Sequence, residues 1–132
     1  MSRHLMAASA AWMAACGLVL TFAPREVGEM LGAASQAGTL LPLVLQLLGA
    51  IQLGGALTNW MSKGSLVGGI FGRPLAIGNL AHFSIGALAL GRTALDGAAI
   101  QWPLAALVAL YAALALGFYR VAFVQPREAS CS

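Results

Sequence analysis

An all-α membrane fold, a bundle of four transmembrane helices with both termini cytoplasmic, follows from three features of the sequence: its composition, the length of its apolar runs and the placement of its basic residues. Hydrophobic residues make up 60% of the 132-residue chain and charged residues only 8%. A soluble domain carries about 25% charged residues, and polar side chains this sparse cannot cover a water-facing globule. Lipid is the natural solvent for such a surface, and the length suits a single domain over residues 1–132.

Predominantly apolar runs occupy 5–22, 39–60, 74–90 and 103–124, and none contains an acidic residue. At 1.5 Å per residue, runs of this length cover roughly 26 to 33 Å, which matches a hydrocarbon core of about 30 Å. Strands are excluded as the main element, because polar and apolar residues do not alternate and open sheet edges cannot face lipid. The segments between the runs collect breakers and charge. Pro24, Gly28 and Gly32 fall in 23–38, four glycines in 61–73, and Asp96 and Gly97 in 91–102, so all three read as turns. Pro74 and Pro103 each open an apolar run, where a missing amide donor costs nothing and a fixed φ suits the first helical turn.

Orientation follows from the cations. Arg3, Lys63, Arg73, Arg120 and Arg127 fall on the side of the N-terminus, and only Arg25 and Arg92 on the other. This excess places both termini in the cytoplasm. Glu128 lies inside and Glu26, Glu29 and Asp96 outside, which divides the net +3 into +4 and −1. The basic balance is thus a matter of topology and of contact with anionic lipid heads. Nucleic acid is not an expected partner, since that needs a clustered basic patch with aromatics.

Two features near the N-terminus bear on processing. Met13, Ala14, Ala15 and Cys16 resemble the end of a lipoprotein signal, but hydrophobicity continues past Cys16 to Phe22, so a retained first helix is expected. Cys16 then lies within the membrane and Cys131 on the cytoplasmic tail, which makes a disulfide between them unexpected.

Helices in lipid approach closely through small residues. Ala105, Ala109, Ala113 and Gly117 form such a ridge on the last span, and Ala7, Ala11 and Ala15 have the same spacing on the first, which predicts contact between them. Polar residues within spans are more informative, because hydrocarbon offers them no partner. Gly49, Gln52, Ala56 and Asn59 share one stripe of the second span, and Asn79, His82 and Gly86 share one on the third. The two stripes are expected to face each other, with Gln52 and His82 at similar depth.

His82 reads in two ways: as a proton relay or a ligand contact, or as a neutral ring bonded to Gln52 or Asn79 that ties helices together. A metal is not expected, since zinc and haem need further His, Cys or carboxylate ligands and the other histidine is His4 near the cytoplasmic end. No nucleophile, base and orienter occur together, so no catalytic residue is assigned. The stretch 59–74 combines glycines with Lys63 and Arg73. It reads either as a contact for a lipid headgroup or another anionic ligand, or as an interfacial turn anchored by Trp60 and snorkelling cations.

The chain resembles small bacterial four-span membrane proteins of the DoxX-like type. The residues that carry the resemblance are Phe22-Ala23-Pro24-Arg25-Glu26-Val27, Leu47-Leu48-Gly49-Ala50, and the stretch from Asn59-Trp60-Met61 to His82-Phe83, about the middle half of the chain. The resemblance implies a multi-pass protein of the bacterial inner membrane and an accessory part in a membrane redox system; it implies no particular cofactor. The expected role is a structural or accessory subunit of a membrane complex, with lipids and a membrane protein or a second copy as partners. The alternative is a small transporter, channel or quinone-binding redox subunit that uses Gln52, Asn59, Asn79 and His82.

Overall fold

A computed structural model describes residues 2–31, 40–64, 72–96 and 101–124. These are helical almost throughout: α1 (Ser2–Phe22), α2 (Pro24–Met30), α3 (Leu40–Ser62), α4 (Gly72–Leu95) and α5 (Gln101–Tyr119), which ends in a π-helical turn over Arg120–Val124. Arg3–Phe22, Leu40–Ser62, Gly72–Leu95 and Trp102–Val124 are long and apolar enough to cross a membrane. Pro42, Pro74 and Pro103 each stand third in their helix, where the amide they lack has no intrahelical acceptor.

The chain forms two compact units, Arg3–Gly64 and Ser65–Ser132. In the first, α1 and α3 run antiparallel. Ser9 meets Asn59, Met13 lies against Gly55, Gly17 meets Gly49, and Gln46 reaches the carbonyl of Thr21. The crossing is set by glycine on both sides. A Cβ on Gly17 would stand 3.0 Å from the Gly49 carbonyl oxygen, and one on Gly49 would stand 2.9 Å from both the Gly17 oxygen and the Thr21 amide. Backbone therefore touches backbone, the arrangement that small residues allow in lipid.

The segment 23–38, read from its breakers as a turn, contains α2 instead. Pro24 ends α1, but as the first residue of α2 it costs that helix nothing. Backbone bonds from Ala23 to Val19 (2.9 Å) and from Val27 to Ala23 (3.1 Å) carry the helical pattern across the break. Pro24 and Gly28 are buried, with Gly28 close to Leu41 of α3, and Arg25, Glu26 and Glu29 are exposed.

In the second unit α4 and α5 are antiparallel around an aromatic core. Phe83 stacks on Phe118 at 5.8 Å and meets Tyr111 edge-on at 5.4 Å, and both phenylalanines are fully buried. Gly86 lies flat against the Tyr111 ring, where a Cβ would come within 2.6 Å of it. Helix α4 continues past its expected end at Leu90 to Leu95. Gly91 does not break it, the Thr93 hydroxyl bonds back to the Ala89 carbonyl at 3.1 Å, and Arg92 sits in the last turn, where its charge suits the helix dipole.

The small-residue ridge of the last span is corrected. Ala105, Ala109 and Ala113 are exposed, as are Ala11 and Ala15 of α1. The last span buries Leu114, Ala115, Phe118 and Val121 instead, because it docks through large side chains onto a partner helix that supplies the small residue, Gly86.

Candidate functional site

Gln52 and Asn59 of α3 share one buried stripe of the first unit. Asn59 is 1% exposed; its Nδ2 donates to Ser9 Oγ at 3.0 Å and approaches Met13 Sδ at 3.6 Å. The Ser9 hydroxyl donates in turn to the Met6 carbonyl at 3.0 Å. This chain of bonds ties α3 to α1 and satisfies groups that hydrocarbon would leave bare. Gln52, seven residues earlier on the stripe, is 6% exposed, and its Oε1 has no hydrogen-bond partner among the described residues. Thr21 Oγ1 is likewise buried and unpartnered, although its backbone carbonyl accepts a bond from Gln46 at 3.4 Å.

In the second unit Asn79 is buried, and its Nδ2 donates to the Leu75 carbonyl at 3.0 Å, one turn back on α4. His82 is half-buried, edge-on to Phe83 at 4.9 Å and tilted against Tyr111 at 6.1 Å. Its Nε2 is buried without a hydrogen-bond partner among the described residues. The His82 ring is held by its contacts with Phe83 and Tyr111.

Lys63 lies in the turn after α3 with its ammonium 2.9 Å above the Trp60 ring, a cation–π contact at the negative end of the helix dipole. Arg73 is exposed in the first turn of α4. The glycine-rich stretch 65–71 and Cys131 lie outside the described residues. Gln52, Asn59 and Lys63 thus belong to the first unit, and Asn79, His82 and Arg73 to the second.

Sequence reasoning missed Ser9, Thr21 and Tyr111. Ser9 carried a signal, being a hydroxyl in the middle of an apolar helix, and it shares a helical face with Met13. Nothing comparable marks Tyr111. Among the described residues no three His, Cys, Asp or Glu side chains gather where a metal could be held. Among the described residues, the buried polar side chains of each unit are amides and hydroxyls, which can bond one another or a small polar group.

The build is that of a multi-pass membrane protein, with four helices among the described residues long and apolar enough to span. Comparison with protein-family models, with curated proteins and with solved structures gives no match.

Proposed function

We propose that this protein is a multi-pass component of the bacterial inner membrane, with both termini in the cytoplasm, that serves as a structural or accessory subunit of a membrane complex. The observation that carries the reading is the exposed flank of α5, where Ala105, Ala109 and Ala113 form a shallow small-residue face that the chain itself leaves uncovered. A membrane helix with such a face can approach another backbone closely. The five basic residues on the N-terminal side support the orientation, and the resemblance to DoxX-like proteins supports the bacterial membrane.

The test is Ala109→Leu combined with Ala113→Leu, with the assembly size measured in mild detergent and in native membranes. The expected result is a chain that folds but leaves its complex. An unchanged assembly would remove the support. A second reading, a transporter, channel or quinone-binding redox subunit, is favoured by two of the buried polar atoms without hydrogen-bond partners among the described residues, Gln52 Oε1 and His82 Nε2. A bound pigment or quinone in the purified protein would favour it.

A further inference from the structure

The two units repeat one helical hairpin. A shift of seventy positions lays α1 on α4: Met6 falls on Ala76, Ser9 on Asn79 and Met13 on Phe83, all six buried. Exposed positions follow, with Leu18 falling on Leu88 and Glu26 on Asp96. A shift of sixty-two positions lays α3 on the last span: Gln52 falls on Leu114, Ala56 on Phe118 and Asn59 on Val121, again all buried. The helix contacts correspond as well. Gly17 meets Gly49 in the first unit; in the second, Gly86, one residue before the counterpart of Gly17, meets Tyr111, the counterpart of Gly49. The difference between the two shifts falls in the connection that holds α2.

Each unit is therefore an internal control for the other. Where α3 carries Gln46, Gln52 and Asn59, the last span carries Val108, Leu114 and Val121. At the two buried positions aliphatic side chains suffice for packing, so packing does not explain Gln52 and Asn59. Thr21 likewise corresponds to Gly91. The buried part of this divergence lies in one column, on a stripe of α3 from Gln52 to Asn59, about 10 Å at the rise of a helix, while Gln46 is exposed and reaches only the Thr21 carbonyl. Two polar atoms of that column, Gln52 Oε1 and Thr21 Oγ1, are buried without partners among the described residues. A buried acceptor left bare costs on the order of 1 to 3 kcal/mol, and a membrane interior supplies no solvent to relieve it.

The chemistry of the column limits what relieves it. Thr21, Gln52, Asn59 and Ser9 carry no charge, which disfavours an ion. Gln52 Oε1 needs a donor and the Thr21 hydroxyl can donate or accept, so one small group that does both serves the two. Gln52 is 6% exposed, so the partner is small. We propose that the α1–α3 hairpin holds water along this column inside its membrane-spanning length, bound through Gln52 and Thr21. At the other end the Ser9 hydroxyl is already engaged by Asn59 and the Met6 carbonyl, so the column closes there instead of crossing the unit.

The test uses the full chain in lipid bilayers, with solid-state NMR reading magnetisation passed from water to labelled glutamine and threonine side chains. The Gln52 signal, assigned by its loss in Gln52→Leu, is expected to receive water polarisation as strongly as that of Gln46 near the helix end. Gln52→Leu installs the residue type that the second unit uses, so it should fold with a melting temperature at or above that of the unsubstituted chain. The water signal at Thr21 should fall. A dry Gln52 in inserted protein would overturn the proposal, whatever the melting temperature of Gln52→Leu. The proposal also rests on the membrane reading: protein recovered outside the bilayer after reconstitution would overturn both, whereas inserted protein with a dry column overturns this one alone.

Discussion

At the scale of single residues, glycines divide by what surrounds them. Gly49 has backbone on the far side of its missing Cβ, with Thr21 N and Gly17 O both at 2.9 Å, whereas Gly54 on the same helix has nothing within 4 Å. Backbone cannot rotate away as a side chain can. Gly49→Ala should therefore destabilise the first unit by about 1 to 3 kcal/mol, the usual cost of overpacking. Gly54→Ala should be neutral or slightly stabilising, since alanine is the better helix former. Unfolding in detergent followed by circular dichroism reads both, and equal effects would mean that the helix crossing lies elsewhere. The Ser9–Asn59 bond invites a double-mutant cycle with Ser9→Ala and Asn59→Leu. A coupling near 0.6 kcal/mol is expected, the average for interhelical polar contacts in a membrane host. A coupling of zero would mean that the bond at 3.0 Å adds nothing to stability.

At the scale of elements, four apolar runs were legible because length and polarity depend on composition alone, and composition needs no neighbours. Their boundaries were less so. Gly91 and Arg92 read as a stop, yet α4 carries them through to Leu95, since one glycine weakens a helix without ending it. Helix α2 was hidden because the proline that closes one helix opens the next. The faces were the least legible. Alanine at every fourth residue marks a ridge but not its partner, and α5 instead buries Leu114 and Phe118. A consequence is testable: since Ala109 and Ala113 are exposed, changing both to Leu should leave the thermal stability of the isolated protein unchanged in detergent. A fall equivalent to 1 kcal/mol or more would return that ridge to the interior.

At the scale of the whole molecule, the candidate site was legible by type and not by partner. Gln52, Asn59 and Asn79 are buried, as polar residues within apolar runs should be. What no sequence pattern supplied was which atom each would meet: Ser9 for Asn59, the helix's own carbonyl for Asn79, and the rings of Phe83 and Tyr111 for His82. Such pairings depend on register, and a helix can rotate by one residue without altering its composition. Topology remains a matter of charge. A reporter active only in the periplasm should be silent when fused at Ser132 and active when placed after Asp96, and the reverse pattern would invert the orientation.

The crossing of Gly17 over Gly49 also has a consequence in time. Every contact of α1 with α3 named above is complete once the chain has been made as far as Gly64. Chains are synthesised from the N-terminus at about 5 to 20 residues per second, slowly compared with the closing of a short loop. The first hairpin therefore has seconds in which to pair before α4 and α5 exist to compete for its surfaces. A fault at that crossing is therefore already felt while the chain is half made, before the second hairpin exists.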